Sequence, residues 1–300
     1  MAVVGKPFDL QQDAAYQAWR AHKLACQPVD VHDLIVPVQD PRALSASERS
    51  ALLQRVAQCN MAVYRSTFTG EDTQLVAALG QQLGLHRLDA NWLADEDGIS
   101  HIAVSDADQG SRTDFIPYTD RAIRWHTDGY YHPPERRIRA MVLHCVRSAR
   151  EGGVNGLIDH EMAYMALRDT NPAWVQALMA PDAMTIPERV DAQGVARAAQ
   201  SGPVFSVLSA PGGGQALHMR YTARTRSIAW RDDPLTQDAV AFLARLLDGA
   251  LSWRYHLRME PGMGIVANNV LHDRSGFVDD PNAPRLLYRA RYLDAVAPPP

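Results

Sequence analysis

Cysteine is scarce. The 300-residue chain has three, Cys26, Cys59 and Cys145, widely spaced and outside any CxxC pair, which argues against a disulfide framework. Excess charge of one sign is lacking too: 30 Lys and Arg against 34 Asp and Glu leave a formal charge of -4. Nowhere do basic residues gather into a footprint for phosphate backbones, so nucleic acid is not an expected partner. No uninterrupted apolar stretch approaches the ~20 residues that cross a bilayer. The opening MAVVGKPFDLQQDAAYQAWR lacks the basic-then-apolar order of a secretory signal. These absences lead to the expectation of a soluble, cytoplasmic protein with no membrane partner. What is present is ordinary globular composition, 46% hydrophobic and 21% charged, in a chain long enough to bury a substantial core.

The pattern along the chain predicts helices first and short strands later. Helical spacing of apolar residues marks 9–26, a segment capped by Ser45 or Ser47 and running through Leu52, Leu53 and Val56, and another from Asp72 to Gly84. Val31–Val38 and Met61–Tyr64 read as strands between them. From Ile99 to Leu208 short apolar runs (HIAV, IRAMVLHCV, GLID, PVFSVL) alternate with Gly, Pro, Asp and Asn, as strands and turns do. A helical insert at His160–Leu178 carries an Asn171-Pro172 turn. Pro234 opens a last helix, strands resume at RYHLRM, GIVAN and LLYRARYL, and the closing APPP reads as a loose tail. With no internal repeat and no linker, the expectation is one α+β domain over 1–300, residues 1–95 being its helix-rich N-terminal part, built on a β-sandwich or barrel.

Among eleven histidines only one begins an HxD or HxE triplet, His126-Thr127-Asp128. On a strand or at its end, residues i and i+2 project from one face, so His126 and Asp128 can offer an imidazole and a carboxylate to one metal ion. His272, in NNVLHDRSGF after the strand GIVAN, is the candidate third ligand. Two histidines and one carboxylate leave three positions open, the arrangement of non-haem Fe(II) oxygenases, the facial triad.

Beyond His272, strand alternation places Arg285, Leu287, Arg289 and Arg291 on one face. Three guanidinium groups side by side repel one another and require anions. Arg291, near the strand end, is expected to pair with a local acid such as Asp279, Asp280 or Asp294. Arg285 is expected to hold a ligand carboxylate through its planar fork.

WHTDGYYHPPERRIRAMVLHC, EGGVNGLID, NNVLHDRSGF and RLLYRARYLD resemble the taurine dioxygenase (TauD/TfdA-like) family of Fe(II)/2-oxoglutarate-dependent dioxygenases, together with its γ-butyrobetaine hydroxylase and clavaminate-synthase-like relatives. Three motifs occur in the family's order, with 146 residues between the two histidines and 13 from the second histidine to Arg285. The resemblance implies iron on His126, Asp128 and His272, the 2-oxoglutarate carboxylate on Arg285, and a cosubstrate contact from Asn155 after Gly152-Gly153. It implies a substrate or cosubstrate role for Arg289 and a double-stranded β-helix (jelly roll) fold. The implied activity couples oxidative decarboxylation of 2-oxoglutarate, with O2, to hydroxylation, desaturation or cyclisation of a small substrate. Arg289 tilts that substrate towards an anionic or amino-acid-like molecule; a homo-oligomer is left open. Two rival readings stand beside it: a zinc hydrolase on the same three ligands, and a non-catalytic jelly-roll binding protein. Tyr130 and Tyr131 read equally as pocket lining or packing, and Arg220 and Arg224 as substrate contacts or solvated groups. His132, His144, His160 and His218 are expected to be hydrogen-bonded structural residues.

Overall fold

The computed structural model describes residues 5–89, 98–104, 116–191, 194–224 and 228–299. In its N-terminal part it forms α1 (Asp13–Cys26), β1 (Ile35–Pro37), α2 (Ala46–Cys59), β2 (Met61–Arg65), α3 (Gln74–Gln82) and β3 (Ser100–Ile102). The middle contributes β4 (Ile123–His126), β5 (Ala140–Arg147), β6 (Asn155–Ile158), α4 (His160–Thr170), α5 (Pro172–Leu178), β7 (Phe205–Ser209) and β8 (Gln215–Met219). After α6 (Pro234–Asp248) come β9 (Arg254–Leu257), β10 (Met263–Ala267), β11 (Leu271–Arg274) and β12 (Leu286–Tyr292).

Local chemistry sets the helix boundaries. Ser45 and Glu48 form a reciprocal capping box at the start of α2. Asn171 ends α4 and caps α5, with Pro172 in its first turn. Asp233 caps α6 before Pro234. The expected strand Val31–Val38 is shorter than its apolar pattern suggested. Asp30 accepts the His32 N–H and Asp33 accepts the N–H of Asp30, winding Val31–Leu34 into a 3-10 turn. Only Ile35–Pro37 remains as strand. The tail is not loose throughout: the Ala297 N–H donates to the Leu83 carbonyl.

Two sheets organise the middle of the molecule. One has six strands in the order β1-β2-β10-β5-β12-β3, parallel only at β1/β2; the other has four antiparallel strands, β9-β6-β11-β4. The strands of the N-terminal part are therefore built into the larger sheet, β2 pairing with β10 along Ile265↔Val63. A core cluster of Val63, Met141, Leu143, Ile265 and Leu287 from the larger sheet meets Leu157, Tyr255 and Leu257 from the smaller. The opposite face of the larger sheet, with Tyr64, Val142, Val266 and Ala290, packs on Leu52, Val56, Leu75 and Leu79 of α2 and α3. The smaller sheet turns Trp125, Ile158 and Leu271 to α1, α4, α5 and α6. Both faces of β5 are thus covered, which is why its sequence is a continuous apolar run instead of an alternating one.

No helix among the described residues is long and apolar enough to cross a membrane. Cys26, Cys59 and Cys145 are all free; Cys145 is buried in the inter-sheet core as expected.

The β2–β10–β5 packing leaves no room at Gly264, where a Cβ would collide with the Tyr64 ring and the Leu143 carbonyl. Gly264→Ala should therefore cost about 1–3 kcal/mol, as core overpacking does. Thermal unfolding reads this directly, and an unchanged midpoint would refute the packing argument.

Candidate metal centre

Antiparallel pairing of β4 with β11 sets His126 directly opposite His272, two residues 146 positions apart in the chain. Their ring centroids are 4.2 Å apart. Asp128, just beyond the end of β4, joins them: one ligand atom from each of His126, Asp128 and His272 lies within 4.8 Å of the others. The two histidines are oriented alike. Nδ1 of His126 donates to the Arg124 carbonyl, and Nδ1 of His272 to the Val270 carbonyl, each at 2.9 Å. That bond fixes the tautomer and leaves Nε2 of each ring as a lone-pair donor. Burial, with His272 beside it, pushes the His126 imidazole down to about 3, so it is neutral and available to a metal at neutral pH.

Asp128 is 6% exposed. Burial alone would raise its pKa, but the Arg289 and Arg291 guanidinium groups outweigh that and hold it well below the usual carboxylate range. Arg289 Nη1 lies 3.3 Å from Asp128 Oδ1. Asp128 Oδ2 is buried without a hydrogen-bond partner. A buried carboxylate oxygen is rarely left unpaired, and here it sits beside two oriented imidazoles. The donor set fits a divalent transition metal.

Sequence reasoning missed the residue that holds this carboxylate in place. Asn269, just before β11, accepts the Asp128 N–H at 2.7 Å and donates to the carbonyls of Asp128 and Ile138. It adopts a left-handed backbone with φ 51, which Asn tolerates better than most residues. The Asn268-Asn269 pair ahead of an apolar strand was the available signal.

The arginines of β12 divide as the alternation predicted, with a different partner for one of them. Arg291 is buried and paired as expected, but with Asp89 at 2.6 Å; it also donates to the Tyr131 hydroxyl. Asp294 pairs with Arg87 instead, and Asp279 accepts the backbone N–H of Arg285. The Arg285 side chain is 5% exposed and stands over the Phe277 ring, 5.1 Å from its centroid. Among the described residues no carboxylate forms an ion pair with it, and burial draws its pKa down to about 10. Asn155 lines the same pocket, which is also bordered by Cys145, Gly153 and Leu287. The Asn155 amide has only long contacts, 3.5 Å to the Gly153 carbonyl and 3.4 Å to that of Leu257.

The remaining histidines have structural partners: His132 with the Arg136 carbonyl, His144 with the Tyr64 hydroxyl, His160 with the Leu217 carbonyl and His218 with that of Ile138. Arg220 is half-buried and forms no salt bridge among the described residues. It donates to the carbonyls of Tyr130, Met184, Gly202 and Gln200.

The sequence model of the taurine catabolism dioxygenase TauD, TfdA family matches residues 25–291. A uridine-5'-phosphate dioxygenase of an Amycolatopsis species is 32% identical over 176 residues, 57% of this chain and 61% of that protein. Its namesake from a Streptomyces species is 30% identical over 190 residues, 61% of this chain and 65% of the other. The chain thus spans about three fifths of the length of the curated relatives it matches. Among solved structures, an asparagine oxygenase in complex with Fe(II), 2S,3S-3-hydroxyasparagine and succinate superposes with a TM-score of 0.59. That likeness, at 16% identity over 98% of this chain and 87% of the other, is one of fold. By the extent of the family match, the chain belongs to the taurine catabolism dioxygenase TauD, TfdA family.

Proposed function

We propose that this member of the family is a non-haem Fe(II), 2-oxoglutarate-dependent dioxygenase that oxidises a small anionic metabolite, a nucleoside 5'-monophosphate being the first candidate. The observation that carries the reading is the unpartnered, buried Asp128 Oδ2 beside two imidazoles whose Nδ1 atoms are already committed. His126, Asp128 and His272 would hold the iron, which when bound activates O2 and the cosubstrate at its open positions. The two packed sheets are read as the double-stranded β-helix that presents these ligands.

The chain's own residues do the positioning. Arg285 is a buried cation without a carboxylate partner among the described residues, and the far carboxylate of 2-oxoglutarate would complete it. Asn155, with hydrogen-bonding capacity to spare in the same pocket, would fix the cosubstrate's orientation. Arg289 steadies Asp128 through Nη1 and keeps a buried Nε without a partner, a donor for a cosubstrate or substrate oxygen. The phosphorylated class of substrate is supported by the names of the two relatives. A hydrolytic reading needs a free general base beside the metal, yet Asp273, next to His272, is engaged by the Gly156 N–H at 2.8 Å.

The test is turnover. With Fe(II), 2-oxoglutarate should be converted to succinate faster when uridine 5'-phosphate is present than with uridine. Absence of Fe(II)-dependent succinate would overturn the reaction class; equal rates with and without phosphorylated nucleosides would overturn the substrate class.

Two variants probe the parts. Arg285→Ala removes charge-assisted, bidentate hydrogen bonds, and should weaken 2-oxoglutarate binding on the order of 100-fold in anaerobic titration, with Arg285→Lys recovering part of it. Asn269→Ala frees the Asp128 backbone and should lower affinity for Fe(II) or Mn(II) by about 10- to 100-fold, as loss of an outer support does. Wild-type affinity in either titration would remove that residue from its role.

A further inference from the structure

Thr127, Asp128 and the turn that follows them also line a second pocket, whose remaining groups have no role in the reaction above. It is walled by the Gly129–Ile138 loop on one side and by β7, β8 and the Ser201–Pro203 segment on the other, and opens to solvent. Arg137, His218, Ser206 and Arg220 face it. His218 is 8% exposed. Its Nε2–H donates to the Ile138 carbonyl at 3.1 Å, which leaves Nδ1 as an acceptor, and Nδ1 is buried without a partner. Ser206 lies directly opposite His218 in the β7/β8 register, so the two side chains share one face of the hairpin.

We propose that this pocket binds a protonated tetrahedral oxyanion, hydrogen phosphate or the monoprotonated phosphoryl end of a phosphomonoester. Arg137 supplies the guanidinium that pairs with its oxygens, Ser206 a hydroxyl, and His218 Nδ1 accepts the hydrogen bond of its P–OH. Arg220, held by main-chain carbonyls alone, adds a fixed positive charge.

The electrostatics agree. Burial lowers the pKa of Arg137, and Arg139 lowers it further. Burial draws Arg220 down to about 10, with Arg137 and Arg197 acting in the same direction. His218 falls to about 3 for the same first reason, with Arg137 next. No carboxylate acts on any of the three among these causes. A cationic recess of this kind is relieved by an anion. Binding would bridge Arg137, on the loop leaving Asp128, to the β7/β8 hairpin, adding to the bonds from His218 to the Ile138 carbonyl and from Arg220 to the Tyr130 carbonyl that already join them. The assignment stands on the pocket's own groups, independently of the reaction proposed above.

Calorimetric titration of the full chain, with and without EDTA, tests it with inorganic phosphate, sulfate, uridine and uridine 5'-phosphate. EDTA identifies any phosphate held on a metal instead. Phosphate should bind in chelator, and sulfate, which has no proton to give Nδ1, should bind about tenfold or more weakly. Arg137→Gln should weaken phosphate about tenfold or more, and Arg137→Lys should keep part of it. Ser206→Asp places a carboxylate where the anion would sit; it should abolish binding while the melting temperature without phosphate holds or rises. Binding of uridine 5'-phosphate but not of phosphate or uridine, lost in the same variants, would assign the pocket to the phosphoryl end of a nucleotide. No binding by either phosphate species, equal binding of sulfate, or affinity indifferent to Arg137→Gln and Ser206→Asp would overturn the proposal.

Discussion

A carboxylate can stay ionised inside a protein only where positive charge is held close to it, and the site is built around that requirement. Asp128 has two imidazoles on one side and the guanidinium groups of Arg289 and Arg291 on the other. Both arginines come from one face of β12, which is paired on both sides, with β5 and β3, so that neither can move to water without disturbing the strand. Arg291 is fixed in turn by Asp89, which also takes Arg136. Five charged groups of alternating sign, Arg289, Asp128, Arg291, Asp89 and Arg136, are thereby drawn together from β12, the loop that follows β4 and the segment that precedes β3. One carboxylate oxygen of Asp128 satisfies Arg289 and the other is left for something brought from outside. Isolated, such an arrangement would be a poor way to stabilise a fold; as a preorganised seat for a cation it is economical in atoms.

Much of this was legible in the sequence, and the parts that were not share a cause. Helix limits were readable where a side chain acts on its own backbone, as at Ser45, Asn171-Pro172 and Asp233-Pro234. The same kind of local bond, at Asp30 and Asp33, shortened a strand that the apolar pattern of Val31–Val38 suggested. His126 and Asp128 share a side because of a two-residue spacing, and Arg285, Leu287, Arg289 and Arg291 are ordered by the same period. Pairing between distant segments has no such local mark. Asp89 lies 202 residues from Arg291, so acids near in sequence were the natural candidates and Asp279 and Asp294 proved to serve other groups. The juxtaposition of His126 and His272 depends on the order of strands in the smaller sheet, which no residue encodes by itself. Asn269 was passed over because its work is done through main-chain atoms.

The arginines themselves sort into three kinds, and the sorting carries functional meaning. Arg289 and Arg291 meet carboxylates of the chain; Arg220 donates to carbonyl oxygens; Arg285, buried, and Arg137, half-buried, have no ion-pair partner among the described residues. The first two kinds already have partners in the folded protein, although Arg289 and Arg291 each keep a buried Nε without one. The third does not, and its desolvation is tolerated because the remaining core covers the cost. For such a group a ligand's charge matters more than its shape. A neutral analogue that fills the same volume leaves the guanidinium buried and unpaired, so the penalty falls on the wrong ligand instead of the right one. On this reasoning the two proposed sites would select small molecules by their anionic ends, Arg285 reading one end in the inter-sheet pocket and Arg137 another behind the Asp128 turn. Under that proposal the neutral C–H-bearing portion of the substrate would be left to the space near His126, Asp128 and His272, where exclusion of water matters more than hydrogen bonding.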